Sequence, residues 1–121
     1  MLYYDNQLNR KVNGLPLDFI FDTGASSVTL SRKQAAFMLK NGYLSKNDIV
    51  GSSAYQTTSG DIALGTVIKL KKIEINGLIL NIVEASIINS DSAPLLLGQS
   101  ALNRLGKIQI DYQNSTLTIS R

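Results

Sequence analysis

The residues best suited to chemistry lie in the segment Phe19-Ile20-Phe21-Asp22-Thr23-Gly24-Ala25-Ser26-Ser27. An apolar run leads directly into an aspartate, which small residues and a glycine follow. Apolar flanks favour a dry environment for the carboxylate, and a glycine lets the backbone turn tightly beneath it. Without histidine or cysteine, any catalysis in this chain must run on carboxylates, lysines, tyrosines or hydroxyls, and Asp22 is the carboxylate of this segment.

A second segment, Pro94-Leu95-Leu96-Leu97-Gly98-Gln99-Ser100, combines an apolar run with a glycine and the start of a predicted helix. Glycine permits the close approach of another backbone. One such approach is to the loop that carries Asp22, and it would bring the two segments together.

The composition excludes several kinds of catalytic site. The chain has no histidine and no cysteine, which removes Ser-His-Asp and Cys-His arrangements, disulfides and zinc–thiolate sites. The remaining acidic residues lack metal-ligand spacing, so we expect no metal and no other cofactor. We expect them in turns or at the surface: Asp5, Asp18, Asp48, Asp61, Glu74, Glu84, Asp91 and Asp111.

Length and charge favour one ordinary globular domain, residues 1–121. The formal charge is +3 and the pI about 9.3, but the basic residues are scattered apart from Lys69, Lys71 and Lys72. Lysines on the outer face of a strand explain this group, so no nucleic-acid partner is expected. No apolar run approaches the ~20 residues that span a bilayer, so no membrane segment is expected in this chain.

Two Asn-Gly dipeptides, Asn13-Gly14 and Asn76-Gly77, predict two-residue hairpin turns. The residues after each turn are similar, which fits two halves related by a pseudo-two-fold axis. The flanking strands are expected at 7–12, 15–21, 69–75 and 78–88. A third hairpin is expected around Gln113-Asn114-Ser115, with strands at 108–112 and 116–119.

One helix start is well marked. Ser31 with Gln34 three residues later forms a predicted capping box, and Asn41-Gly42 supplies the end. A second, shorter helix is expected over 99–105, ending at Gly106. The elements are therefore mainly β, with one or two short helices.

Together the two chemical segments resemble those of the retroviral-type aspartic proteases. Asp22-Thr23-Gly24-Ala25 matches the active-site signature, and Leu96-Leu97-Gly98 matches the apolar-apolar-glycine element that opens the C-terminal helix. Order and separation also match, and the resemblance covers most of the chain. It implies an all-β, retropepsin-like closed β-barrel with one or two short helices, forming one subunit of a symmetric homodimer.

The resemblance also implies an activity. Retropepsins are aspartic endopeptidases that hydrolyse peptide bonds with a water held between two aspartates, one from each subunit. Like charges a few ångströms apart cannot both ionise cheaply, so such a pair shares one proton. Asp22 and its symmetry mate would act as base and acid on peptide or protein substrates.

Further site residues follow from the resemblance alone. Thr23 would bond across the two-fold axis, and Gly24 would receive the substrate backbone. A hairpin at 54–63 would form a flap. The expected substrate-binding residues, which suggest apolar side chains around the cut, are Ile20, Ala25, Ser26, Thr29, Thr58, Ser59, Gly60 and Leu96.

The chain also departs from the retroviral pattern. Retroviral enzymes have an Arg–Asp pair at the positions of Gln99 and Ser26, where neutral hydrogen bonding could replace the ion pair. The departures point to bacterial retropepsin-like proteases, including the membrane-anchored ones of rickettsiae, so the domain could derive from an anchored envelope protein. Apolar alternation at 2–4 and 117–119 suggests terminal strands in the dimer interface.

Three alternatives remain open on the sequence. Asp22 could be a loop carboxylate that caps nearby amides. The chain could be a peptide-binding or dimerisation module that kept the fold and lost turnover. It could also be one lobe of a two-domain, pepsin-like enzyme whose other lobe supplies the second aspartate.

Overall fold

Strands dominate the part of the chain that the computed structural model describes, which comprises residues 2–3, 9–56, 62–111, 113–114 and 116–120. The strands are β1 (Leu2–Tyr3), β2 (Arg10–Val12), β3 (Leu15–Pro16), β4 (Phe19–Asp22), β5 (Val28–Ser31), β6 (Ile49–Gln56), β7 (Ile62–Ile75), β8 (Leu78–Ile88), β9 (Leu95–Leu97), β10 (Lys107–Asp111) and β11 (Thr116–Ser120). The helices are α1 (Arg32–Lys40), α2 (Gln99–Leu102) and a 3₁₀-helix at Lys46–Asp48. The predicted β-rich class is confirmed.

Nine strands form one mixed sheet in the order β1-β4-β9-β5-β8-β7-β2-β3, and β6 also pairs with β7. The sheet curls into a half-barrel. Strands β10 and β11 form a separate antiparallel pair. Although β4 and β5 are consecutive in the chain, β9 lies between them, parallel to β4 and antiparallel to β5.

Both predicted Asn-Gly turns are present, and the two are built alike. Asn13 and Gly14 have φ of 51° and 83°, and Asn76 and Gly77 have 49° and 85°, as a type I′ turn requires. Each asparagine is also hydrogen-bonded to the backbone of a residue that is distant in sequence. The Asn13 N–H donates to the Lys72 carbonyl at 2.9 Å, and its Oδ1 accepts from the Lys72 N–H at 3.1 Å.

The strand predicted at 15–21 is instead divided into β3 and β4. Between them the Leu17 N–H donates to the Arg10 carbonyl at 3.4 Å, and Asp18 pairs with Arg10 at 3.2 Å. The Arg10 side chain is only 3% exposed, and its guanidinium also lies 5.7 Å from the centre of the Phe19 ring. This buried cation links β2 to the start of β4, at the point where the predicted strand is divided.

Helix α1 begins and ends where the sequence predicts. The Gln34 N–H donates to Ser31 Oγ, and the Ser31 N–H donates to Gln34 Oε1, both at 3.1 Å. Helix α2 is shorter than the predicted 99–105, because hydrogen bonds of 3₁₀ type carry the chain on to Leu105. Ala35, Met38, Ala101 and Leu102 are buried against the sheet.

The core lies on one face of the sheet. Phe19 and Phe21 alternate with half-buried residues along β4, and their rings meet edge to face at 5.7 Å between centroids. Leu95 and Leu97 of β9 are fully buried beside them. Each such side chain contributes about 1.5–3 kcal/mol on burial, so the strand that ends at Asp22 is firmly anchored.

The third predicted hairpin is present as β10–β11. Its turn is organised by Asp111, whose Oδ2 accepts from the Asn114 side chain at 2.8 Å. This bond, with the Asn114 backbone N–H, lowers the pKa of the Asp111 carboxyl. Within the described ranges, no helix is long and apolar enough to cross a membrane, and no group of acidic residues has metal-ligand geometry.

Candidate active site

The loop that follows β4 wraps around the end of β9. Phe21 is the register partner of Leu97 in the parallel pair β4–β9, and Thr29 is the partner of Leu96 in the antiparallel pair β5–β9. The chain must therefore leave β4, pass over the end of β9 and return as β5. Residues 23–27 make this passage, directly above Gly98.

Gly98 is the point of closest approach between the two predicted segments. A Cβ atom there would lie 2.3 Å from the Ser27 carbonyl oxygen, 2.8 Å from the Ala25 carbonyl oxygen and 2.8 Å from the Ser27 nitrogen. All three atoms belong to the backbone and cannot rotate away. The predicted approach of Gly98 to the Asp22 loop is thus confirmed. The reason for a glycine here is steric and not conformational, because its φ of −90° is open to other residues as well.

The first residues of α2 hold the far side of the loop. The Gln99 N–H donates to the Ala25 carbonyl at 2.8 Å, and the Ser100 N–H donates to the Ser26 carbonyl at 2.9 Å. The Gln99 side chain adds a third bond, from Nε2 to the Thr23 carbonyl at 2.8 Å. Helix start and loop therefore form one hydrogen-bonded unit.

Asp22 is half-buried at the end of β4. Its Oδ1 accepts from the Gly24 N–H at 2.9 Å, and its backbone carbonyl accepts from the Ala25 N–H at 3.2 Å. The first bond is the local capping contact that the sequence alternative describes. It also fixes the direction of the carboxylate, which a catalytic group needs.

Ile20, Leu96 and Thr29 lie in one row across three neighbouring strands, because they are register partners. All three are half-buried, in contrast to the fully buried residues on either side of them in β4 and β9. Ile20 and Asp22 are two residues apart on one strand and so share a face. Three of the predicted substrate-binding residues therefore line the face of the sheet that carries Asp22.

Thr29 adds an unexpected polar feature to this row. Its Oγ1 is buried and has no hydrogen-bond partner among the described residues. Ser86 of β8 is its register partner on the other side, so the row becomes more polar away from Ile20.

The other predicted site residues divide into two groups. Thr23, Gly24 and Ser26 are exposed in the loop, and Ala25 is half-buried there. The predicted flap corresponds to the β6–β7 hairpin, which is paired out to Gln56 and Ile62. Thr58, Ser59 and Gly60 lie outside the described residues.

Strand β1 pairs with β4, the strand that ends at Asp22. Leu2 is the register partner of Asp22, and Tyr3 is the partner of Phe21, within the same chain. These two residues thus border the strand that carries Asp22 in the same chain. Tyr4 lies outside the described residues.

Two residues that matter to the site were not given these contacts by the sequence analysis. The sequence left open a neutral hydrogen bond between Gln99 and Ser26, and in the structure the Gln99 side chain bonds to the Thr23 carbonyl. Arg10 was one of several scattered basic residues, and it anchors β4 through the Phe19 carbonyl at 3.3 Å. The position of Gln99, directly after the glycine of the second motif, was the available signal for its contact. Arg10 had none.

Comparison with known proteins gives a consistent result. The sequence matches the family described as "gag-polyprotein putative aspartyl protease" over residues 8–104. No curated protein matches it. Among solved structures, it is similar to the crystal structure of a retropepsin-like aspartic protease from Rickettsia conorii, with 26% sequence identity and a TM-score of 0.67. That match covers 92% of this chain and 83% of the other.

The matched region contains both motifs, the loop that carries Asp22 and the strand and glycine beneath it. The geometry of these elements and the family match agree, and the chain belongs to the retropepsin-like aspartyl protease family.

Proposed function

We propose that this chain is an aspartic endopeptidase that works as a symmetric homodimer, with one Asp22 contributed by each copy. The observation that favours this proposal most is the set of contacts that hold Asp22 and its loop in place. Strand β4 and the Gly24 N–H hold Asp22, and the start of α2 holds the loop that follows it. A carboxylate held this firmly is oriented before substrate arrives, as acid–base catalysis requires.

The need for a second copy follows from the number of carboxylates. Hydrolysis by this chemistry uses one carboxylate as base on the water and one carboxylic acid to polarise the scissile carbonyl. Within the described residues, other acids are engaged elsewhere: Asp18 with Arg10, Asp48 with the Ser45 N–H and Asp91 with Arg32. A two-fold axis beside the Asp22 loop would supply the partner carboxylate.

The half-buried row beside Asp22 supports a preference for apolar residues around the cut. Ile20 and Leu96 present aliphatic side chains on the same face as the carboxylate. A substrate side chain placed there would bury its apolar surface against them.

The β6–β7 hairpin supports the proposed flap. Strand β7 pairs with β8 only from Thr66 onward, whereas it pairs with β6 from Ile62. The described pairings thus show a two-stranded arm that extends beyond the ladder with β8. An arm of this kind can close over a bound peptide and exclude water.

Cleavage of an unfolded protein between about pH 4 and pH 7 tests the proposal. Asp22→Asn should reduce kcat at least about a thousandfold, because an amide can neither accept the proton nor carry it. Asp91→Asn makes the same chemical change at an exposed carboxylate and should leave kcat unchanged. Activity that survives in Asp22→Asn would show that the assignment is wrong.

A mixing experiment tests the dimer separately. Increasing amounts of Asp22→Asn are added to a fixed amount of wild type at a concentration where sedimentation shows self-association. Activity should fall, because mixed dimers hold a single carboxylate. Activity that does not fall would exclude the shared site, and an inactive wild-type dimer would favour the peptide-binding module.

A further inference from the structure

The side chain of Gln99 makes a contact that the sequence motif does not demand. Its Nε2 donates to the Thr23 carbonyl at 2.8 Å, which joins residues 76 positions apart. The Thr23 carbonyl belongs to the peptide unit between Thr23 and Gly24. The N–H of that same peptide unit, on Gly24, donates to Asp22 Oδ1 at 2.9 Å.

These two bonds form a continuous path from Gln99 to the carboxylate. The amide of Gln99 holds one end of the peptide unit, and the other end of the unit holds Asp22. A donor on the carbonyl side polarises the peptide unit and strengthens the hydrogen bond that the N–H donates on the other side. It also prevents the peptide plane from rotating, which would move the Gly24 N–H away from Oδ1.

We propose that Gln99 is a positioning residue that orients the Asp22 carboxylate through the Thr23–Gly24 peptide unit. The proposal rests on the proposed function, since it concerns the same catalytic group. The backbone bonds of Gln99 and Ser100 support residues Ala25 and Ser26, further along the loop. The Gln99 side chain acts on the peptide unit whose N–H donates to Asp22 Oδ1.

An uncharged donor suits this place. Glutamine donates at every pH and adds no charge beside a pair of carboxylates that share one proton. The strands packed against α2, β5 and β9, carry no charged residue. The nearest cation along the chain, Arg104, donates to the Asn81 and Ile82 carbonyls, and Asp22 is the charged group on the loop itself.

The test replaces the donor by a group whose donor capacity depends on pH. In Gln99→Glu, the introduced carboxyl can donate to the Thr23 carbonyl when protonated and repels it when ionised. We therefore expect kcat of this variant to fall by about tenfold relative to wild type between pH 4 and pH 7, with KM within about twofold. Gln99→Met should lose about tenfold in kcat at every pH, because it never donates.

The matched control is Asn103→Asp, which makes the same change of charge at an exposed position after α2. Its pH profile should run parallel to that of the wild type. All variants are assayed at a temperature where thermal unfolding shows them folded. Should Gln99→Glu be unfolded at pH 7, the kcat of Gln99→Met decides.

The outcomes separate this proposal from the proposed function. The role of Gln99 would be overturned if the pH profile of Gln99→Glu ran parallel to that of an active wild type, or if kcat were unchanged in Gln99→Met. Either result would leave the protease assignment intact. A folded, dimeric wild type that cleaves nothing would overturn both.

Discussion

The Asn76-Gly77 turn and the Asp22 loop both redirect the chain at the end of a strand, but different parts of the chain hold them. The turn is formed by its own two residues in left-handed conformations, and the strands on either side are register partners. The Asp22 loop instead depends on Gly98 and Gln99, more than 70 residues away. A turn can thus be specified locally, whereas this active-site loop requires a long-range partner.

The difference has a physical cause. An Asn-Gly pair tolerates positive φ, so the hairpin geometry is already favoured in the isolated segment. The residues after Asp22 have no such preference. Their carbonyls need donors, and the first N–H groups of α2, which have no partner within the helix, provide them.

The largest expected effect comes from blocking the close approach of Gly98 to the Asp22 loop. Gly98→Ala should destabilise the fold by about 3 kcal/mol, because its Cβ would meet backbone atoms of Ala25 and Ser27 that cannot move independently. Urea unfolding measures the change. Gly51→Ala is the matched control, since nothing lies within 4 Å of its Cβ position, and it should change stability by less than about 0.5 kcal/mol. Equal effects at the two glycines would contradict the comparison.

An intermediate effect is expected at the turns themselves. Gly14→Ala and Gly77→Ala should each cost about 1–2 kcal/mol, because both glycines have positive φ, although no atom lies within 4 Å of either Cβ position. Unfolding midpoints of the two variants should be similar. Cleavage per folded molecule should remain at the wild-type level, since neither turn touches the Asp22 loop. A loss of activity as large as that of Gly98→Ala would show that the turns are not local.

The smallest effect distinguishes the two turns from each other. The Nδ2 of Asn13 donates to the Tyr43 carbonyl at 2.8 Å, whereas Asn76 uses its Oδ1, which accepts from the Asn9 N–H at 3.0 Å. Asn→Asp keeps the acceptor and tolerates positive φ but removes the donor. Asn13→Asp should therefore cost about 1 kcal/mol and Asn76→Asp distinctly less, as measured by urea unfolding. The reverse order would contradict the described contacts.

The sequence by itself determined the features that depend on neighbouring residues. These are the two Asn-Gly turns, the capping box of α1, the β-rich pattern and the position of Asp22 at the end of an apolar strand. Each follows from φ preferences, side chain to backbone bonds or alternation over a few residues. The glycine that ends the second apolar segment also indicated a close approach to the Asp22 loop, which the structure confirms.

Only the tertiary structure decided which groups support the carboxylate. Arg10 is buried, the predicted strand at 15–21 is split, and Gln99 bonds to the Thr23 carbonyl. Each of these features depends on residues that are distant in sequence or lie on different strands. Local patterns cannot specify these contacts, because they form only when the strands pack together, and the Gln99 bond also needs β9 inserted between β4 and β5. That insertion is a property of the packed sheet, and it places a glycine and an amide side chain beneath Asp22.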